Sequence, residues 1–131
     1  MRNHTSKLTF PAKPDYISAL RLAAAAVASQ AGLNIDEIEH LKLLTSQAFN
    51  YLMLEGSKYI KVDIAENGSS LDISFSAMEY HDGPFEMENR NVLRRALLKS
   101  LTRKCCMIKK GRIMASIIPD VLNGYRNLQT N

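Results

Sequence analysis

The 131-residue sequence predicts an α/β two-layer sandwich, with a mixed, mostly antiparallel sheet and helices on one of its faces. Three observations predict this fold class. Apolar residues recur with the helical period of 3.6 from residue 14 to residue 56, the period then changes to 2, and turn-forming segments divide the remainder into short elements. Because 46% of the residues are apolar, a chain of this length can form one sizeable hydrophobic core. Residues 1–131 are therefore predicted to be a single domain.

The first part of the chain predicts a strand and a long helix. The segment KLTFPA alternates apolar and polar residues and reaches Pro11, which is typical of an edge strand. Pro14 favours the first turn of a helix over residues 14–31, and Gly32 favours its end. The residues predicted to face the core from this helix are Ile17, Leu20, Leu22, Ala24, Val27 and Ala28.

A second helix follows after a short glycine turn, so the two helices are predicted to pack together. Asn34 is a favourable N-cap residue, Asp36 and Glu37 suit the positive end of a helix, and Gly56 favours its end. The residues predicted to face the core from this helix are Ile38, Leu41, Leu44, Ala48, Tyr51 and Leu52.

The rest of the chain predicts two hairpins with a loop and a helix between them. Residues 58–77 alternate on both sides of the turn NGSS, which predicts the first hairpin. The polar segment MEYHDGPFEMEN predicts a loop, and residues 89–104 predict a third helix. The segments CCMI and IMASII, joined by KKGR, predict the second hairpin. The predicted element order is therefore β-α-α-β-β-α-β-β.

Positive charge is concentrated in one segment. Residues 90–112 include nine basic residues and no acidic one, so they contribute +9 to a net charge of +4 and the rest of the chain contributes −5. Such a patch attracts phosphates, nucleic acid or an acidic protein surface, whereas a solvated face partly neutralised by neighbouring carboxylates explains it equally well. A phosphate or nucleic-acid site would use Arg94, Arg95, Lys99 and the KKGR turn. The lack of interleaved exposed aromatic residues argues against nucleic acid.

The sequence also predicts a cytoplasmic protein that does not enter a membrane. No run of eighteen or more apolar residues occurs, and the N-terminus lacks the hydrophobic region of a signal peptide. The adjacent Cys105 and Cys106 fall in a predicted strand, where neighbouring side chains point to opposite faces and do not readily bridge. Reduced thiols fit the cytoplasm, and the spacing of the Cys and His residues predicts no metal site.

Two longer segments resemble a known family. PAKPDYISALRLAAAAVASQAG, residues 11–32, and DEIEHLKLLTSQA, residues 36–48, resemble the first two helices of the bacterial anti-sigma factor serine kinases. That family belongs to the ATPase class shared by histidine kinases, gyrase B and the heat-shock ninety chaperones. The resemblance implies a histidine kinase-like ATPase fold. It also implies a homodimeric regulator of transcription whose partners are a sigma factor or an anti-anti-sigma protein.

The catalytic helix of that family is not matched at its two functional positions. In the family, the second helix carries a Glu that acts as general base and, one turn later, an Asn that helps to hold Mg²⁺. The ungapped match places Gln47 at the first position and Tyr51 at the second. A carboxamide has no useful basicity, and a phenol is a poor Mg²⁺ ligand at neutral pH. The resemblance therefore implies no catalytic residue at either position.

Two further signatures of the family's nucleotide site are also missing. The Asp and Gly that end its third strand, where the Asp reads the adenine, correspond to the stretch Ala77, Met78, Glu79. Two glycines of its lid, where backbone amides approach the phosphates, correspond to Val92 and Arg94. The match thus implies a degenerate ATP site and a pseudokinase that needs no cofactor. ATP and Mg²⁺ are expected only if the site has been placed wrongly.

Partner binding and surviving catalysis remain separate possibilities. The family contacts its partners through an Arg near the start of the first helix, which the match places at Arg21, about one turn beyond Asp15 and Tyr16. An ordinary exposed helix residue is the other interpretation of Arg21. The alternative function is an active ATP-dependent serine kinase with a rearranged site. Its candidate replacement carboxylates are Glu55, Glu79 and Asp82.

Overall fold

The computed structural model describes residues 4–67, 70–80, 106–109 and 111–117, which form two α-helices and a five-stranded sheet. In chain order the elements are β1 (His4–Pro11), α1 (Ile17–Gln30), α2 (Ile35–Leu54), β2 (Ser57–Asn67), β3 (Ser70–Tyr80), β4 (Cys106–Lys109) and β5 (Arg112–Ile117). The strands lie in the order β1-β2-β3-β5-β4, and every neighbouring pair is antiparallel. The α/β class and both hairpins are confirmed. The parallel pair that a mixed sheet requires does not occur among the described strands.

Glycine ends α1 as the sequence predicts, but the helix begins differently. A single 3-10 turn, Pro14–Tyr16, precedes α1, so the predicted helix over residues 14–31 starts with a tighter turn. At the other end Gly32 has φ of 91°, a left-handed conformation that glycine adopts without strain. The following amide, that of Leu33, donates to the carbonyl of Ala28 at 3.0 Å and satisfies an otherwise free helix carbonyl.

A capping box fixes the start of α2. The side chain of Asn34 accepts a hydrogen bond from the Glu37 amide, and the side chain of Glu37 accepts one from the Asn34 amide, each at 2.8 Å. Two amides that lack helical partners are thereby satisfied. α2 ends one residue before Glu55, and Gly56 follows with φ of 96°. Both predicted ends of the second helix are confirmed.

The hydrophobic core lies between the two helices and one face of the sheet. In the central parts of β2 and β3 every second residue is buried, as a period of 2 predicts. The strand register sets Val62 beside Phe75 and Ile64 beside Ile73 on this inner face. The largest fully buried side chains are Phe49, Phe75, Leu20, Leu41, Leu44, Leu52, Ile60, Ile64, Leu71, Ile73 and Ile113. Since each contributes about 1.5–3 kcal/mol relative to an exposed side chain, this cluster dominates the favourable side of the stability balance.

One predicted core position is wrong. Leu22 is 68% exposed, whereas Leu20 and Ala24 are completely buried. Two residues along an α-helix correspond to about 200° around its axis, so Leu20 and Leu22 face nearly opposite directions. The alanine-rich sequence of α1 obscures this difference because apolar residues occur on every side of the helix.

Two strands are longer than predicted. β1 begins at His4, before the segment KLTFPA, and pairs with β2 as far as Glu66. β3 continues to Tyr80, so the first residues of the predicted loop belong to a strand. In both places the backbone hydrogen bonds of a neighbouring strand extend the element past the point where the side-chain pattern weakens.

Other predictions fall outside the described residues. These are the third helix over residues 89–104, the loop from His81 onwards and the first of the two cysteines, Cys105. The single-domain organisation likewise stays a prediction. Of the two α-helices in the described part of the chain, neither is long and apolar enough to cross a membrane.

Candidate functional site

One face of α2 carries the first two predicted site positions. Gln47 and Tyr51 are four residues apart, so they lie one above the other along the helix. Gln47 is half-buried, while Tyr51 is only 3% exposed and belongs to the core cluster. This face therefore presents a carboxamide and a buried aromatic ring. Neither Gln47 nor Tyr51 carries a carboxylate that could act as a general base.

The end of β3 carries the next two positions. Ala77 is half-buried against the core, and its amide donates to the carbonyl of Gly111 at 2.8 Å. Glu79 is exposed and has φ of 56°, which is the left-handed region. For a residue other than glycine this conformation costs about 1–2 kcal/mol. The backbone at Glu79 thus has a conformation that suits glycine.

The side chain of Tyr80, the last residue of β3, lies against the turn between β4 and β5. Gly111 in that turn has φ of 74°, and a Cβ atom built there would collide with the Tyr80 hydroxyl and lie 3.7 Å from the Ala77 Cβ. Burial raises the pKa of Tyr80 above its ordinary value of 10.0, and the negative charge of Glu55 at the end of α2 raises it further. The phenol is therefore neutral at physiological pH. Its hydroxyl lies against Gly111, the residue whose carbonyl accepts the hydrogen bond from the Ala77 amide.

A polar cluster lies at the opposite end of β3. The carboxylate of Asp72 accepts hydrogen bonds from Ser116 at 2.5 Å, from Asn67 at 2.5 Å and from Ser70 at 3.2 Å. Partial burial tends to raise the pKa of Asp72, but these three hydrogen bonds outweigh it and hold the pKa below its ordinary value of 3.8. The cluster joins β2, β3 and β5 at the hairpin turn. We assign it a structural role, because each donor comes from the chain itself.

The predicted partner-binding residues lie around the start of α1. Asp15 and Tyr16 are in the 3-10 turn, Arg21 is in the second turn of α1, and all three are exposed. The ring of Tyr16 rests against Phe10 of β1, with 6.0 Å between the ring centroids and 41° between the planes. Arg21 follows Tyr16 by five residues, about 140° further around a helix axis. The three side chains therefore share one end of α1 without forming a single stripe.

Part of the predicted chemistry lies outside the described residues. This applies to the lid positions Val92 and Arg94, to Asp82, and to Arg95 and Lys99 of the basic segment. Within residues 4–67, 70–80, 106–109 and 111–117, no group of three or more His, Cys, Asp or Glu side chains is arranged to hold a metal ion.

Sequence reasoning placed Gln47 and Tyr51 on one face of α2 but missed the geometry at both ends of β3. The left-handed Glu79 and the Tyr80 contact with Gly111 leave no periodic signal in the sequence. The only hint was the glycine of the KKGR turn, since glycine is common where a turn requires positive φ. The alternation of the strand does not predict the hydrogen bonds of Asp72, although the serines around it are typical hydrogen-bond donors.

Comparison with known proteins finds distant relatives that share one name. A serine-protein kinase RsbW from Listeria monocytogenes serotype 4a is 32% identical over 98 residues, which cover 61% of this chain and 60% of that protein. The serine-protein kinase RsbW of Listeria innocua is 30% identical over 96 residues with the same coverage, and that of Staphylococcus epidermidis is 27% identical over 135 residues, or 86% of this chain and 84% of that protein. No model of a known protein family matches the chain. The match to the Listeria proteins thus spans about three fifths of their length.

Proposed function

We propose that the chain is an anti-sigma factor of the serine kinase family with a degenerate ATP site, and that it binds a sigma factor or an anti-anti-sigma protein. The relatives named serine-protein kinase RsbW support the family. The order of the described strands and helices is compatible with a histidine kinase-like ATPase fold. The proposal includes a homodimer that acts in the control of transcription. Binding a partner requires a surface and no catalyst, so this role survives the loss of kinase chemistry.

The arrangement on α2 carries the proposal of a degenerate site. A general base must accept a proton near neutral pH, and a Mg²⁺ site in a kinase uses oxygen ligands such as carboxylates and carboxamides. In this proposal Gln47 stands at the position of the base, and Tyr51, whose ring is buried, stands at the position of the ligand one turn later. A buried phenol in the core cluster cannot turn toward a nucleotide without leaving a cavity behind. Phosphoryl transfer therefore lacks both its base and its metal ligand on this helix.

The strand end supports the same proposal independently of α2. Ala77 has no group that can hydrogen-bond to an adenine amino group, and Tyr80 lies beside it over Gly111. Glu79 has a left-handed conformation that glycine adopts without strain, as expected of a strand end whose glycine has been replaced. In this proposal two parts of the site that are far apart in sequence, on α2 and at the end of β3, thus both lack the groups that the family uses to bind ATP.

Titration calorimetry with ATP and Mg²⁺, together with a thermal-shift scan, tests the degenerate site. A ligand that binds only the folded state must raise its melting temperature. We expect no heat of binding and no shift at millimolar nucleotide. Binding at micromolar nucleotide would contradict the proposal and would show that the site has been placed wrongly.

An active serine kinase with a rearranged site is the second candidate. The observation that favours it is the printed name of the relatives, which are called kinases. Glu55 at the end of α2 is close enough to the strand end for its negative charge to raise the pKa of Tyr80. Transfer of phosphate from labelled ATP to a purified anti-anti-sigma protein, abolished by Glu55→Gln, would support this candidate.

Arg21 tests the partner-binding part of the proposal. An exposed guanidinium pairs with a carboxylate through two parallel hydrogen bonds, which makes arginine a frequent anchor of protein interfaces. We expect Arg21→Glu to weaken binding to a sigma factor or an anti-anti-sigma protein by at least about tenfold, measured by calorimetry against purified candidates. Arg112→Glu is the matched control, because Arg112 is an exposed arginine on β5, which lies three strands away from β1 in the sheet. Equal binding by wild type, Arg21→Glu and Arg112→Glu would contradict the assignment of Arg21.

A further inference from the structure

A row of residues with basic and hydroxyl side chains crosses the outer face of the sheet, which is the face turned away from the helices. The strand register sets these five residues side by side, one on each strand: Thr9, Lys61, Ser76, Arg112 and Lys109. Their chain neighbours Val62, Phe75 and Ile113 are completely buried on the inner face, so alternation places the row on the outer face. We call these five positions the basic row, since three of them are basic and none is acidic.

The positive charges of the basic row have no acidic neighbour in the row itself. In the described part of the chain neither Lys61 nor Arg112 forms an ion pair. Asp63, the outward carboxylate two residues beyond Lys61, has Lys7 of β1 directly beside it in the register. Asp72 lies nearer the other end of β3 and accepts three hydrogen bonds from its own chain. The basic row therefore offers its charge to an anion from outside the chain.

Exposed apolar side chains lie next to the basic row. Tyr59 precedes Lys61 by two residues on β2, so both lie on the outer face, about 6–7 Å apart along the strand. Tyr59 and Met78 are cross-strand partners, and each is 42% exposed. No aromatic residue occurs within the basic segment 90–112, but the sheet brings Tyr59 close to basic residues of other strands. An aromatic ring thus accompanies the positive charge in the fold although it does not in the sequence.

We propose that the outer face of the sheet binds single-stranded nucleic acid, with phosphates along the basic row and a base stacked on Tyr59. Lys61 and Arg112 are two strands apart, about 10 Å, and Ser76 lies between them. Ammonium, guanidinium and hydroxyl groups are common donors to phosphate oxygens. An exposed aromatic ring stacks on a base of any sequence. This binding is separate from partner binding through Arg21 on α1.

The direction of the basic row favours nucleic acid over an acidic peptide. The row runs across the strands of the sheet. An extended peptide that binds a sheet lies along an edge strand and uses main-chain hydrogen bonds, which the face of a sheet does not offer. Single-stranded nucleic acid, by contrast, lies on the face of a sheet and stacks its bases on exposed side chains. Uniform positive charge beside an exposed aromatic ring suits a polymer of charged phosphates and flat bases.

Fluorescence anisotropy of a labelled short oligothymidylate, titrated with the full chain, tests the basic row. Each phosphate neutralised on a single strand contributes about 0.7 to the salt dependence, so three basic positions predict a slope of log Kd against log salt of about 2. We expect Lys61→Glu and Arg112→Glu each to raise the Kd at least about tenfold. Lys58→Glu is the matched control, because it makes the same charge change on β2 at an exposed residue of the opposite alternation. It should raise the Kd less than about threefold.

Tyr59 distinguishes nucleic acid from an acidic peptide. Tyr59→Ala should raise the Kd at least about fivefold and leave the salt slope unchanged, because stacking involves no counterion release. Tyr59→Phe keeps the ring and should bind as the wild type does. A polyglutamate peptide of the same charge should compete only weakly with the oligothymidylate. Equal competition by polyglutamate, or an unchanged Kd for Tyr59→Ala, would overturn the inference and assign the face to an acidic protein segment.

Three other results would also overturn the inference. They are no change in anisotropy at millimolar protein, a Kd that does not respond to salt, and equal losses for Lys61→Glu and Lys58→Glu. Far-ultraviolet circular dichroism checks the fold of each variant, and Lys61→Gln, which should lower the salt slope by about 0.7, replaces Lys61→Glu if that variant does not fold. Binding of a sigma factor or an anti-anti-sigma protein through Arg21 is measured separately, so failure of nucleic-acid binding and failure of the proposed function give different results.

Discussion

The middle and the end of β3 are positioned by different physical causes. Over residues 71–75 buried and half-buried side chains alternate strictly, and each inward residue joins the core. Over residues 77–80 this alternation of burial ends, Glu79 turns to φ of 56°, and the last side chain lies over Gly111. The middle is held by side-chain burial, whereas the end is held by backbone conformation and by one close contact. Sequence patterns therefore predict the first region well and the second poorly.

The largest expected effect concerns the middle of β3. Phe75 is completely buried on the inner face, so Phe75→Ala removes a ring from the core and leaves a cavity. We expect the free energy of unfolding to fall by about 3–5 kcal/mol, measured by urea denaturation. Ser74→Ala changes the neighbouring outward residue and should alter the free energy of unfolding by no more than about 0.5 kcal/mol. Similar losses for the two variants would contradict the two-faced character of this strand.

Much of the fold could be predicted because its signals are local. The helix ends at Gly32, Asn34 and Gly56 follow from capping chemistry, and the first hairpin follows from alternation on both sides of a turn. Leu22 could not be placed correctly, because an alanine-rich helix offers apolar residues on every side and only packing decides which are buried. Packing depends on residues distant in sequence, and no pattern within α1 records them.

The candidate site could be predicted only where helical periodicity applies. A spacing of four residues was enough to place Gln47 and Tyr51 on one face of α2. The burial of Tyr51 in the core, by contrast, depends on the sheet that packs against that face. The left-handed Glu79 could not be predicted, because glutamate rarely adopts this conformation and the surrounding strand must impose it.

The next effect in size concerns the end of β3. Gly111→Ala places a Cβ at φ of 74°, where it also meets the Tyr80 hydroxyl. We expect a loss of about 1–2 kcal/mol in the free energy of unfolding, part from the backbone and part from the collision. The hydroxyl ends a flexible side chain, so the collision is relieved when Tyr80 swings away from the turn.

A double-mutant cycle with Tyr80→Phe separates the two parts. Without the hydroxyl the nearest ring atom lies 3.6 Å from the new Cβ, which is ordinary van der Waals contact. Gly111→Ala should therefore cost less in the Tyr80→Phe background than in the wild type, and the remainder is the cost of positive φ. Equal costs in the two backgrounds would mean that Tyr80 does not hold the strand end against the turn.

The smallest effect concerns the hydrogen bonds on the outer side of β3. Ser116→Ala removes a donor from the Asp72 carboxylate and should lower the free energy of unfolding by about 1 kcal/mol at neutral pH. Ser76→Ala, which changes an outward serine nearer the other end of the strand, is the matched control.

The pKa of Asp72 is below 3.8 in the folded chain, so the stabilisation is fully present above pH 3.8 and is lost as pH falls through the lower folded value. Urea denaturation at several pH values should therefore show the difference between wild type and Ser116→Ala shrinking only in acid. A difference that stays constant down to pH 2 would mean that Ser116 acts through packing and not through the charge of Asp72.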